Sequence, residues 1–83
     1  YNFLMNNLDT YKKVFIEALD FDEKSFSENL KYQDIDEWDS IGHMSLISAL
    51  EEKFSVTFET DDIISYDCYK RGIEILKKYK IDI

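Results

Sequence analysis

Proline is absent from this 83-residue chain, and glycine occurs only twice, at Gly42 and Gly72. No ring therefore interrupts a helix, and no glycine-rich phosphate loop exists. The single cysteine, Cys68, excludes an internal disulfide and suits a reducing compartment. The single histidine, His43, leaves too few N and S ligands for a zinc site. Nothing local joins it to Cys68 as base and nucleophile, and no third orienting group presents itself. No run approaches the ~20 apolar residues of a membrane span. No basic region followed by an apolar one opens the chain. The expectation is a cytoplasmic protein with no membrane insertion. Basic side chains are scarce as well, 10 against 18 acids, for a net charge of −8. That argues against nucleic acid, whose phosphates need clustered Lys and Arg, and against an anionic membrane surface. It favours partners with basic patches.

Hydrophobic residues make up 45% of the chain, enough for one compact core. A chain of this size reads as one domain, spanning residues 1–83. It buries only about 60–65% of its unfolded surface, leaving no room for a deep catalytic cleft beside the core.

The spacing points to an all-α fold. Leu4, Leu8, Tyr11, Phe15 and Ala18 mark one face of a first helix that ends near Asp20, and Val14 and Leu19 widen the stripe. Periodicity is lost from 20 to 39, where Phe21, Phe26, Leu30, Tyr32, Ile35 and Trp38 stand among acids. This stretch is expected to be a long ordered loop whose aromatics dip into the core. A second helix is predicted from Ser40 to Lys53, with Leu46, Ile47, Leu50 and Phe54 on the core side. Ile41 and Met44 fall on a half-exposed face. Glu51 and Glu52 oppose the dipole near its end, which reads either as simple solvated charge or as a use other than stability. "SVTF" alternates but is short for a strand. Thr60, followed by Asp61 and Asp62, reads as the cap of a short helix over 60–65. Asp67 reads as the next cap. Cys68, Gly72, Ile75, Leu76 and Tyr79 then carry a last helix, with Lys77, Lys78 and Lys80 at its C-terminal end.

The acids of the loop do not make a calcium site. Counting from Asp34, Trp38 falls at position 5, Asp39 replaces the required glycine, and Ser45 stands where the bidentate Glu belongs. Counting from Asp20, Lys31 takes that last place. Solvated charge is the simpler reading, and no enzyme is expected.

The stretch that holds attention is "WDSIGHMSLISALEEKF", residues 38–54. Asp39-Ser40 can be read as a helix N-cap, a side-chain oxygen accepting free N–H groups of the first turn. The same position also suits a phosphate ester on Ser40, because those N–H groups and the helix dipole favour an anion. Residues and spacing leave both readings open.

The stretch resembles the prosthetic-group attachment motif of acyl carrier proteins. In that family Asp-Ser-Leu, or a close variant, opens the second helix, and here Asp39-Ser40-Ile41 stands for the triplet. "ALEEKF" is similar to the end of the same helix, "YKKVFIEAL" to the end of the first, and the order of elements agrees over nearly the whole chain. The resemblance implies a four-helix bundle, three main helices and one short, with a long loop after the first. It implies that Ser40 carries 4′-phosphopantetheine, taken from coenzyme A by a phosphopantetheinyl transferase. It further implies that Asp39, Ile41, Met44 and Glu52 contact partners: loading ligases for acyl or aminoacyl groups, and acyltransferases or synthases with basic docking patches. The carrier itself would be a monomer without catalytic activity.

Departures and alternatives remain. Gly42 and Ser45 stand where carriers of fatty acid synthesis commonly place acids, so a dedicated pathway is the expectation. Gly42, reminiscent of D-alanyl carriers, keeps an aminoacyl cargo open, and it lowers helix stability by up to ~1 kcal/mol against Ala. A helical interaction module without a prosthetic group is the other alternative. Ile41 and Met44 read either as contact residues or as core. His43 reads either as a phosphate contact or as a surface residue. Trp38 reads either as an anchor of the loop or as a wall of the arm's path. Cys68 reads as a small core residue.

Overall fold

A computed structural model describes residues 6–83. Leu4 lies outside them. Four α-helices follow in order: α1 Asn7–Leu19, α2 Ser40–Phe54, α3 Thr60–Ser65 and α4 Tyr69–Lys78. The fold is all-α, with three longer helices and one short. No helix among the described residues is long and apolar enough to cross a membrane.

Local chemistry sets the helix ends. Asn6 caps α1, its side chain accepting the Asp9 N–H at 2.8 Å. Asp20 closes the helix in the left-handed conformation, and Ser55 does the same for α2. The buried stripe of α1 is Tyr11, Phe15 and Leu19. Leu8 departs from the expected stripe and is exposed. Two expected caps are corrected. Thr60 is the first residue of α3, which begins after Glu59 and has no side-chain cap. Cys68, not Asp67, precedes α4. Asp67 instead accepts the Tyr32 N–H through its main-chain carbonyl, at 2.8 Å.

That bond belongs to a correction of larger scale. Residues 20–39 are not one uninterrupted loop. A 3₁₀ turn at Glu23–Ser25, capped by Asp22, breaks the segment. An antiparallel bridge between Lys31 and Cys68 then pins it to the start of α4. Phe21, Leu30 and Trp38 enter the core as expected, while Phe26, Tyr32 and Ile35 are half-buried. Trp38 is fully buried and packs edge-on to Phe15, so it anchors the segment. Cys68 is only half-buried, at the bridge.

α1 and α2 make the most extensive helix pair. α4 closes the core through Tyr69, Ile75 and Leu76. The connector after α2 keeps the alternation of "SVTF" without forming a strand: Val56 and Phe58 point inward, Ser55 and Thr57 outward. Glu51 explains its unfavourable place here, since its carboxylate accepts the Phe58 N–H at 2.8 Å.

A tyrosine chain fills the centre. Tyr11 Oη donates to the Tyr69 carbonyl at 2.6 Å. Its proton is thereby committed, so the bond of 2.5 Å between the two phenols is donated by Tyr66 to Tyr11. Burial holds both phenols well above the usual tyrosine range. Gly72 faces these two hydroxyls, where a β-carbon would collide with Tyr11 Oη and lie 2.6 Å from Tyr66 Oη.

Candidate functional site

The site forms where the pinned loop meets the start of α2. Asp39, not Ser40, is the N-cap. Its backbone is extended, and its Oδ1 accepts the Gly42 N–H at 2.8 Å. Ser40 is the first helical residue, exposed, and its hydroxyl has no part in capping. Among the described residues, the one side-chain partner of Ser40 Oγ is the phenol oxygen of Tyr32, at 3.2 Å.

Ser40 shares an open groove with Ile41, Met44, Ser45 and Ser48. Ile41 is 79% exposed and Met44 51%. The core alternative for these two side chains is therefore overturned: α2 turns Leu46, Ile47 and Leu50 inward instead. The groove contains no charged side chain. Glu52 is not part of it. Three turns further along, about 18 Å by helix rise, Glu52 borders a groove between α1 and α2 with Val14, Glu17, Ala18, Ala49 and Lys53.

His43 is neither a free surface residue nor positioned as a phosphate ligand. Trp38 Nε1 donates to His43 Nδ1 at 3.0 Å. Indole nitrogen only donates, so Nδ1 is the acceptor and Nε2 carries the proton. That proton goes to the Ile63 carbonyl at 2.9 Å. Both ring nitrogens are thus occupied in tying the loop anchor and α2 to α3.

Gly42 also has a local cause. A β-carbon there would run into the Glu37 carbonyl oxygen and lie 3.3 Å from Leu19 Cδ2. The loop's own backbone occupies the space, so neither a partner nor a cargo is needed to explain this glycine.

A second cleft of about 190 Å³ opens between the loop, α2 and α3, lined by Tyr32, His43, Ile63, Ile64, Tyr66 and Asp67. Its α3 wall is braced from behind. Asp62, buried, accepts from Lys78 Nζ at 2.9 and 3.1 Å and from Tyr79 Oη at 2.5 Å. The bonds from Tyr79 and Lys78 hold its carboxyl below the usual range, against the opposing effect of burial.

Two residues of the site were missed in the sequence. Tyr32 lies in the aperiodic stretch and carried no signal toward Ser40. Ile64 is 74% exposed. The pair Ile63-Ile64 in a six-residue helix was the available clue, since adjacent positions on a short helix cannot both face the core. Among the described residues, no three His, Cys, Asp or Glu side chains gather where they could hold a metal ion.

No family model, no curated protein and no solved structure matches the chain.

Proposed function

We propose that the protein is a carrier whose Ser40 bears 4′-phosphopantetheine. One observation carries this reading. Asp39 supplies the cap, so the exposed hydroxyl of Ser40, at the first position of α2, is spare for chemistry. In the interaction-module alternative Ser40 is only a cap, and here Asp39 takes that task.

The residues present fit the group. Ser40 would hold it through a phosphodiester, with the Tyr32 phenol within reach. In the installation, Ser40 Oγ forms a bond to the pantetheine-bearing phosphorus of coenzyme A. The pyrophosphate P–O bond breaks, adenosine 3′,5′-bisphosphate leaves, and the hydroxyl proton passes to a base of the transferase. When bound, the arm supplies a thiol that holds cargo as a thioester. A tethered cargo reaches each partner's active site at high effective concentration. The chain itself does no catalysis, works as a monomer, and is cytoplasmic.

Partners would be a phosphopantetheinyl transferase, a loading ligase, and acyltransferases or synthases. Exposed Ile41 and Met44 favour contact with apolar surface next to Ser40. The exposed acids Asp39 and Glu52, with Asp36 and Glu37, lie outside the uncharged groove and would meet basic patches at its margins. The acyl and aminoacyl versions stay alternatives of the same reading, because Gly42 has its cause in the fold and does not report on cargo.

The test is intact mass before and after incubation with coenzyme A and a promiscuous phosphopantetheinyl transferase, with Ser40→Ala alongside. The expected result is one phosphopantetheine gained by the wild type and none by the variant. A wild-type chain that starts unmodified and stays so with several transferases would return Ser40 to a purely structural role.

A further inference from the structure

The phenol of Tyr32 is the side chain that reaches Ser40 from outside α2, across eight residues of sequence. Its position is fixed on three sides. Its ring meets Trp38 edge-on at 6.1 Å and 88°. It meets His43 at 5.6 Å and 72°. Its main-chain N–H donates to Asp67 at 2.8 Å. The neighbours that hold it are themselves fixed: Trp38 is fully buried, and His43 is bonded at both ring nitrogens. The Lys31–Cys68 bridge ties the adjoining backbone to the start of α4. All this places a hydroxyl beside Ser40 Oγ in a segment with no regular structure of its own. A half-buried tyrosine on a core-facing loop would pack as well with phenylalanine in its place. The only side-chain partner of its oxygen among the described residues is Ser40.

The electrostatic setting gives that oxygen a use. The Asp39 carboxylate lies next to Ser40 in sequence and takes the Gly42 N–H for itself. The Asp39 carbonyl takes the His43 N–H at 2.7 Å. The second of these is the first ordinary helical bond, so of the free N–H groups of the first turn that of Gly42 is already committed, and a negative charge stands beside the hydroxyl to be modified. A neutral donor serves an anion there without adding repulsion. A phenol O–H to a phosphate oxygen is a charge-assisted bond, shorter and roughly twice as strong as a neutral one.

We infer that Tyr32 is a positioning residue for the modified serine, its hydroxyl donating to the phosphodiester on Ser40 and restraining the arm at its root. This rests on the carrier reading above. The neutral Tyr32–Ser40 bond of the unmodified chain is then replaced by a stronger bond to the ester.

The experiment loads wild type and Tyr32→Phe with coenzyme A and a phosphopantetheinyl transferase, confirms each by intact mass, and records phosphorus and proton NMR spectra. In the wild type, the Tyr32 ring resonances shift on loading and the phosphorus resonance lies away from that of free 4′-phosphopantetheine. In Tyr32→Phe, the phosphorus resonance moves toward the free value and its line narrows, while the Trp38 indole resonance stays in place. The wild-type shifts stand alone as evidence should the variant fold poorly. A loaded wild type whose Tyr32 resonances do not move, or a variant with an unchanged phosphorus resonance, overturns the role of Tyr32 and leaves the carrier reading intact. A chain that gains no mass overturns both.

Discussion

Gly42 lies against the main-chain carbonyl of Glu37, in space that any other residue would fill with a β-carbon. Helix propensity alone predicts that Gly42→Ala stabilises the chain by up to ~1 kcal/mol. The contact reverses the sign. The obstacle is backbone, in a loop pinned by Trp38, and it does not swing aside as a flexible side chain would. Overpacking of this kind costs about 1–3 kcal/mol. Gly42→Ala should therefore lower the urea midpoint. A midpoint at or above the wild-type value would mean that the 37–42 turn relaxes freely.

Asp39 and Ser40 should separate in a stability measurement. Asp39→Ala removes the cap and should cost about 0.5–2 kcal/mol. Ser40→Ala removes only an exposed hydroxyl and should stay within about 0.5 kcal/mol of wild type, while abolishing loading. Chemical denaturation of both variants decides the matter. A larger loss for Ser40→Ala than for Asp39→Ala would contradict the capping geometry.

Ile41 and Met44 are exposed, so truncating either should leave the melting temperature nearly unchanged. If they contact partners, Ile41→Ala and Met44→Ala raise the KM of the phosphopantetheinyl transferase several-fold and change kcat less. Unaltered kinetics for both variants would move the docking surface elsewhere.

Asp62 links stability to acid. Its folded carboxyl titrates below the ordinary value because Tyr79 and Lys78 bond the charged form. The stabilisation is thus fully present above the unfolded value of about 3.9 and lost as pH falls through the lower folded value. Asp62→Asn should melt below wild type at pH 7, and the gap should close as pH drops beneath about 3.9. A gap that stays constant down to the acid limit would show that the bonds of Tyr79 and Lys78 to the charged carboxylate carry no net weight.

The helices were legible because their signals are local. Periodic apolar positions placed α2 within one residue of its observed end, and the expected span of α3 agrees although Thr60 is not its cap. What escaped depends on contacts distant in sequence or on backbone. The Lys31–Cys68 bridge joins segments far apart, and no pattern in the 20–39 stretch announces it. Tyr32 reaches Ser40 from the segment that this bridge helps to hold. His43 lies close to Trp38 in sequence, yet the bond between them crosses a helix cap, where neither helical nor strand spacing applies. Gly42 was read through propensity because its cause, the Glu37 carbonyl, leaves no mark on side-chain identity. Ser40 itself was visible as a position, but the division of tasks between it and Asp39 was not. Either side chain makes a good cap, and the choice between them rests on backbone geometry.

That division makes the fold indifferent to what becomes of Ser40. Had the serine been the cap, any modification of its hydroxyl would have taken the cap from the helix. With Asp39 holding the first turn, the loaded and bare forms of the proposed carrier would present the same capped helix to a protease. If Ser40 is loaded as proposed, that state would be written only on the surface, and one copy could pass through many rounds of filling and emptying without ageing faster for it.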